Sequence, residues 1–349
     1  MAEKKSRKKI VSIVLVVVFI LGVIGGYIGY TLYQRFMGAN VTSEREYLYI
    51  PTGSDFDDLM QNLVDNNIVE DTASFHWVAR QKEYPSRVKA GKYKLEEGMN
   101  NRTLLNLLGA GLQEPVNLRF QNIRLKENFA AHLAKQLEPD SATFSAILNN
   151  DTLAQEHGFT TENIFTMFIP NTYEFYWNTS SEEFFDRMAN EYDTFWNDER
   201  KAKADSVGLS PIEVSILASI VKGEALHVDE MPEIAGLYIN RLRRGMLLQA
   251  DPTVIFATQD FSIRRVLNRH LRTPSPYNTY IHKGLPPGPI MMPSIASIDA
   301  VLNFNEHQYI YMCAKDDFSG YHNFATNMRD HLVNARKFQR ALDERNIKR

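Results

Sequence analysis

Glu224 is the residue whose type and spacing point most directly to chemistry. Ser210-Pro211-Ile212-Glu213 reads as a helix start. Ser210 caps the helix, Pro211 occupies the first turn where its missing N–H costs nothing, and Glu213 completes a capping box. The helix runs on through VSILASIVKGEA, where Leu217, Ile220 and Val221 mark an apolar face that Glu224 continues at i+7, i+4 and i+3. Carboxylates are seldom placed on the buried side of a helix. In the last turn, the negative end of the helix dipole also disfavours ionisation. Burial and dipole both raise the pKa, the combination a general acid needs to stay protonated near neutral pH. Gly223 lets a neighbouring backbone or a ligand come close. The same spacing equally fits a structural ion pair with Arg241, Arg243 or Arg244, and spacing alone does not separate the two.

Other chemistry-bearing side chains form weaker constellations. The nine histidines contain no HExxH, and His322 and His331, with eight residues between them and no third ligand, are a poor zinc signature. A structural or sugar-contacting role suits both histidines. Ser219 and Ser294 lack a nucleophile-elbow context. Cys313 is the single cysteine, which excludes an internal disulfide and a cysteine-based zinc site. Its apolar run QYIYMCA predicts a buried, inert thiol. Phe304, Tyr309, Tyr311, Phe318, Tyr321 and Phe324 read as the core of strands.

The elements that must position these residues form an α+β chain. Glu46–Ile50 alternates as a strand, Pro51-Thr52-Gly53 turns, and Phe56, Leu59, Met60 and Leu63 recur at helical spacing. A helix follows over 72–81. The pattern recurs as strand 91–95 and helix 101–108, and more weakly as strand 116–120 and helix 125–137. The order strand–helix–helix–strand predicts a LysM-like module gripping N-acetylated glycan, although pattern alone fits plain packing units as well. Residues 140–209 read as helical, with an insertion at FIPNTYEFY (168–176). Seven of the fourteen prolines fall between Pro252 and Pro293, predicting long ordered loops on a helical scaffold.

Charge distribution predicts the compartment. The net charge of −3 is too mild for a nucleic-acid binder, but it is unevenly spread. Lys4, Lys5, Arg7, Lys8 and Lys9 against Glu3 give the first nine residues +4, residues 10–33 carry no charge, and the remainder carries −7. Ile10–Tyr33 is long enough, at about 1.5 Å per residue, to cross a hydrocarbon core of roughly 30 Å. Tyr27, Tyr30 and Tyr33 gather at its far end as interfacial aromatics do. The run is too long for the apolar core of a cleaved signal peptide. The expectation is an uncleaved anchor with a cytoplasmic tail (1–9), a transmembrane helix (10–33) and a short linker (34–45), the acidic body lying outside the membrane.

Several blocks resemble one family. ASIVKGEA (218–225), YINRL (238–242), LQADPTV (248–254), SPYNTY (275–280), GLPPGPI (284–290) and HNF (322–324) with Asn327 and His331 are similar, in order, to the endolytic murein transglycosylases of the YceG-like family. Phe168–Phe175 resembles the family's FPDTYEF segment, with Ile169 inserted and Asn171 for Asp. The resemblance implies a LysM-like module over 45–115 and a mixed α+β catalytic domain over 116–349. It implies a lyase, held in the cell (inner) membrane with its catalytic domain periplasmic or extracytoplasmic. Such an enzyme cuts the MurNAc–GlcNAc bond inside nascent peptidoglycan strands, leaves 1,6-anhydro-MurNAc ends and terminates elongation, with peptidoglycan synthases as partners. The catalytic glutamate maps to Glu224. Members often carry a second Glu two positions earlier; Lys222 stands there and is expected to face solvent. Asn240, Gln249, Tyr277 and Asn278 are neutral groups suited to acetamido and hydroxyl contacts, or to holding loops. Two rivals follow: a hydrolytic muramidase using Asp251 or Glu174 as second carboxylate, and a non-catalytic glycan-binding scaffold.

Overall fold

The computed structural model describes the backbone of residues 2–42 and 45–345, with side chains from Lys9 onward in those ranges. The side chains of the basic stub before Lys9 lie outside the described residues. Helices hold 54% of the chain and strands 8%, so the α+β class is helix-dominated and the strands serve as short clasps.

The chain divides into two units. The first comprises residues 1–116 and 174–178. It opens with α1 (Ala2–Met37), whose stretch Lys9–Met37 is long and apolar enough to cross a membrane. Its apolar side chains, from Ile10 at 57% to Tyr33 at 60% exposure, have no protein cover. The expected linker does not begin at residue 34. The helix continues to Met37, and Asn40 behind it is buried, donating to Asn101 Oδ1 at 2.7 Å and to the Asp71 carbonyl at 3.0 Å. Asn101 in turn donates to the Arg35 carbonyl at 2.9 Å. Buried amides that satisfy backbone groups order this segment, a signal that composition does not carry.

Beyond it come β1 (Tyr47–Ile50), α2 (Phe56–Asp65), α3 (Thr72–Gln81), β2 (Gly91–Lys94) and α4 (Asn101–Ala110). Asp55, Asp71 and Asn100 cap the three helices through their side chains. β1 pairs antiparallel with β2, from Tyr47 opposite Lys94 to Ile50 opposite Gly91. Leu48, Ile50, Phe56, Leu63, Phe75, Val78, Tyr93, Leu104 and Leu108 form the core. The first two sequence copies therefore merge into one β-α-α-β-α unit. The third does not join them: β3 (Val116–Arg119) pairs with β4 (Thr172–Phe175), far downstream.

The second unit comprises residues 117–173 and 179–349. Its first part holds α5 (Lys126–Ala134), α6 (Ser141–Leu148) and α7 (Asp151–Glu156), and after β4 come α8 (Ser181–Phe195) and α9 (Asp198–Val207). Phe129 is its hub, with ring centroids 5.0 Å from Phe120, 5.7 Å from Phe165 and 4.9 Å from Phe168. The second part is built around α10 (Pro211–Glu224), with α11 (Met231–Arg243), α12 (Asp251–Thr258) and α13 (Ile295–Leu302). Val214 through Val221 are all buried. The one-sided apolar face read from sequence is too narrow, because α9, α11, α12 and α13 surround α10. A hairpin of β5 (Tyr311–Ala314) and β6 (His322–Ala325) follows, with α14 (Met328–Glu344) lying against it. The aromatics of 304–324 are half-buried rather than core, because α14 covers the hairpin only in part.

Candidate active site

Glu224 is the last residue of α10, and the helix start read from sequence is present: Ser210 Oγ accepts from the Glu213 N–H, and the Ser210 N–H donates to Glu213 Oε2 at 2.8 Å. Gly223 explains how the helix end reaches the site. A Cβ there would lie 2.8 Å from Pro252 Cβ, so only glycine lets the first turn of α12 abut α10. The contact brings the α12 N-terminus to Glu224, whose carboxylate accepts from the Asp251 backbone N–H.

The carboxyl group lies in a cleft of about 360 Å³ lined among others by Tyr238, Arg241, Gln249, Asp251, Tyr280 and His322. The Tyr238 hydroxyl donates to Glu224 Oε1 at 2.8 Å. Burial pushes the Glu224 pKa up to about 7, while the hydrogen bond from Tyr238 pulls it down and the charge of Asp251 adds to the rise. Burial also raises Tyr238 well above the ordinary phenol range, so it stays a donor. Asp251 is likewise raised by burial, and its Oδ1 accepts from the Tyr280 hydroxyl at 2.6 Å.

Among the described residues no ion pair joins Glu224 to an arginine; the charge of Arg241 in the same cleft only lowers its pKa in part, and the hydrogen bonds of all three arginines go elsewhere. The Arg241 Nε donates to the Ile310 carbonyl at 2.6 Å, and Nη1 donates to the Leu248 carbonyl at 2.8 Å and to Gln249 Oε1 at 3.2 Å. Arg243 donates to the Val207 carbonyl at 3.3 Å and Arg244 to Gln308 Oε1 at 3.2 Å. Arg241 acts as a buried strut between α11, the 247–249 loop and the strand entering the hairpin.

Of the four neutral groups proposed as sugar contacts, the structure brings only Gln249 to Glu224. Its backbone adopts φ 50°, a left-handed turn fixed by its N–H donating to the Thr279 carbonyl at 3.1 Å. Asn240 spends its amide on the carbonyls of His307 and Tyr309, at 2.8 and 3.0 Å. Asn278 is fully buried and donates to the carbonyls of Leu271 and Thr273, at 3.1 and 2.9 Å, which orders the proline-rich loop. Tyr277 lines a second cavity of about 340 Å³ with Arg124, Lys126, Phe256 and Gln259.

Sequence reading missed Tyr238 and Tyr280 as partners of the acids, although YINRL and SPYNTY contain them. It also missed how His322 is set. The buried Glu230 accepts the His322 backbone N–H at 2.7 Å, and its other oxygen lies 2.9 Å from Nδ1. This pair leaves Nε2 as the ring nitrogen available to the cleft. Cys313 lines the cleft half-buried instead of lying in the core, and burial raises its thiol pKa, so it stays an unreactive thiol. His331 stacks on Tyr311 with centroids 5.2 Å apart. Among the described residues no group of three or more His, Cys, Asp or Glu is placed to hold a metal ion.

Fold and site together define an α+β enzyme whose cleft offers a carboxyl with a near-neutral pKa beside a second, tyrosine-bound carboxyl. The chain belongs to the YceG-like family, whose profile matches residues 48–337. It is 29% identical over 319 residues to a Bacillus subtilis protein named endolytic murein transglycosylase, covering 85% of each chain. A Streptococcus pneumoniae protein of the same name is 27% identical over 338 residues; the match covers 88% of this chain but 61% of that longer protein. The crystal structure of a YceG-like protein from Listeria monocytogenes has the same fold, with TM-score 0.55 at 23% identity over 84% of this chain and 99% of the other.

Proposed function

We propose that this chain is a membrane-anchored endolytic lytic transglycosylase acting on peptidoglycan, with Glu224 as its acid and base. The observation that carries the reading is the Glu224 carboxyl, held by Tyr238 in a cleft and poised at a pKa of about 7. A group with that pKa is partly protonated at neutral pH and can both give and take a proton in one cycle. Glu224 protonates the oxygen that links N-acetylmuramic acid to N-acetylglucosamine. As a carboxylate it then takes the proton of the muramoyl C6 hydroxyl, which closes on C1 as a 1,6-anhydro ring. The internal hydroxyl replaces water, and its proximity lowers the barrier. Gln249, with its amide held at the cleft wall, is suited to contact the acetamido or hydroxyl groups. No cofactor enters this scheme.

α1 serves as a single-pass anchor in the cell membrane with the basic tail inside, which puts both units on the outer side where nascent strands are made. The β-α-α-β order of the first unit is the order of a LysM-like module, and it would hold glycan while the second unit cuts. Cleavage inside a strand that is still growing would end its elongation, next to the peptidoglycan synthases.

Asp251 in the same cleft favours one rival, a hydrolytic muramidase with two carboxylates. Glu174 does not line the cleft. The products separate the readings. Mass spectrometry of peptidoglycan digested by the purified protein is expected to give 1,6-anhydro-muropeptides, and Glu224→Gln is expected to abolish them. Reducing-end products would favour the hydrolase. No release by the wild type would favour a glycan-binding scaffold.

A further inference from the structure

α1 does not stop at the edge of its apolar run. Leu32, Tyr33, Phe36 and Met37 in its last turns form one wall of a groove of about 330 Å³, and Lys82 and Arg102 form the other. The wall made by α1 is fixed in place. Phe36 stands edge-on to Trp77 with centroids 5.8 Å apart, and the Arg35 guanidinium lies 5.1 Å from the centre of the same indole. The Asn101 amide holds the Arg35 carbonyl. Lys82 follows the last residue of α3 and Arg102 lies in the first turn of α4. Neither is ion-paired among the described residues.

The height of this groove follows from helix geometry. A hydrocarbon core of roughly 30 Å takes up about 20 helical residues, so a span beginning at Ile10 leaves the core near Gly29. The headgroup layer beyond it is about 5–7 Å deep. Leu32 and Tyr33 fall inside that layer, about 4.5 and 6 Å past the edge of the core, and Lys82 and Arg102 line the same groove. Apolar side chains beside two cations at this depth suit the glycerol region and the phosphate of a membrane lipid. A second transmembrane helix would leave both cations facing apolar surface.

We propose that this groove binds the phosphate headgroup of an anionic membrane phospholipid, with its glycerol end against Leu32 and Tyr33 and its phosphate between Lys82 and Arg102. The proposal rests on α1 being a membrane anchor. A bound lipid would fix the direction in which the first unit leaves the bilayer, and thereby its height above it.

The test uses the full chain in neutral detergent and counts retained lipid by native mass spectrometry. Phosphatidylglycerol, phosphatidylcholine and a polyprenyl diphosphate are added separately. The wild type is expected to retain phosphatidylglycerol in preference to phosphatidylcholine. The K82Q/R102Q double variant should bind it about 30-fold more weakly, about fivefold for each cation. An R80Q/K94Q control, with both changes outside the groove, should leave binding unchanged. Equal retention of both phospholipids, or no loss in K82Q/R102Q, would overturn the proposal. Retention of the polyprenyl diphosphate alone would also overturn it, assigning the groove to a lipid-linked strand. Carbonate extraction of membranes tests the anchor separately: a chain that stays with the membrane but shows no lipid preference fails the groove and not the anchor.

Discussion

The Tyr238 hydroxyl on α11 donates a 2.8 Å hydrogen bond to Glu224 Oε1 at the end of α10. It opposes the main influence on that carboxyl. Burial favours the protonated acid and the hydrogen bond favours the carboxylate, leaving the group near pH 7, where it can serve in both steps of the proposed reaction.

Tyr238→Phe removes the opposing influence. A hydrogen bond to a charged group contributes about 1.5–3 kcal/mol, and one pKa unit corresponds to about 1.4 kcal/mol. The alkaline limb of the kcat/KM profile should therefore move up by about one unit, with a lower maximum rate. The pH profile of muropeptide release checks this. A lower melting temperature with an unmoved profile would reduce Tyr238 to a packing residue.

Glu224 also links stability to pH. Its folded pKa of about 7 lies above the ordinary value of 4.5. Between those two values the folded chain binds more protons than the unfolded chain, so stability falls as pH rises through the window and the full penalty applies above it. The penalty is at most about 3.5 kcal/mol. Denaturant melts of wild type and Glu224→Gln from about pH 4 to about pH 8 should diverge, with the variant gaining relative stability toward the alkaline end. Parallel curves would show that the carboxyl titrates normally.

Gly223→Ala places a Cβ 2.8 Å from Pro252 Cβ and 3.5 Å from Ile290 Cδ1. Overpacking of this kind costs about 1–3 kcal/mol. It should also push the first turn of α12, with Asp251, away from Glu224. The melting temperature should drop and turnover should drop with it. Unchanged activity at wild-type stability would mean that the α10–α12 contact has slack.

Arg241→Lys keeps the charge and loses the fork. One ammonium cannot reach the carbonyls of Ile310, Leu247 and Leu248 together with Gln249 Oε1. Leaving buried carbonyls unpaired should cost about 3 kcal/mol and loosen the 247–249 turn. Thermal melts measure the first effect. The second should appear as a rise in KM, if Gln249 contacts substrate. A fall in stability with KM unchanged would remove Gln249 from the substrate contacts.

Local information in the sequence determined where α10 begins and that a glutamate stands in its last turn. The capping box at Ser210 and Glu213, the apolar positions of α10 and a glutamate at its end are short-range features, and each depends on neighbours three or four residues away. The uncharged run from Ile10 to Tyr33 is equally local. What only the tertiary structure decided is which partners face Glu224. Asn240 and Asn278 have the chemistry of sugar contacts, but their amides are used by carbonyls of loops distant in sequence or irregular in form. Tyr238 is one helix away from the acid, Asp251 and Tyr280 reach it through the Gly223–Pro252 contact, and His322 comes from a hairpin near the C-terminus. Hydrogen-bonding residues are interchangeable in composition, and their roles are set by which buried backbone groups the fold leaves unsatisfied. That accounting exists only once the helices have packed.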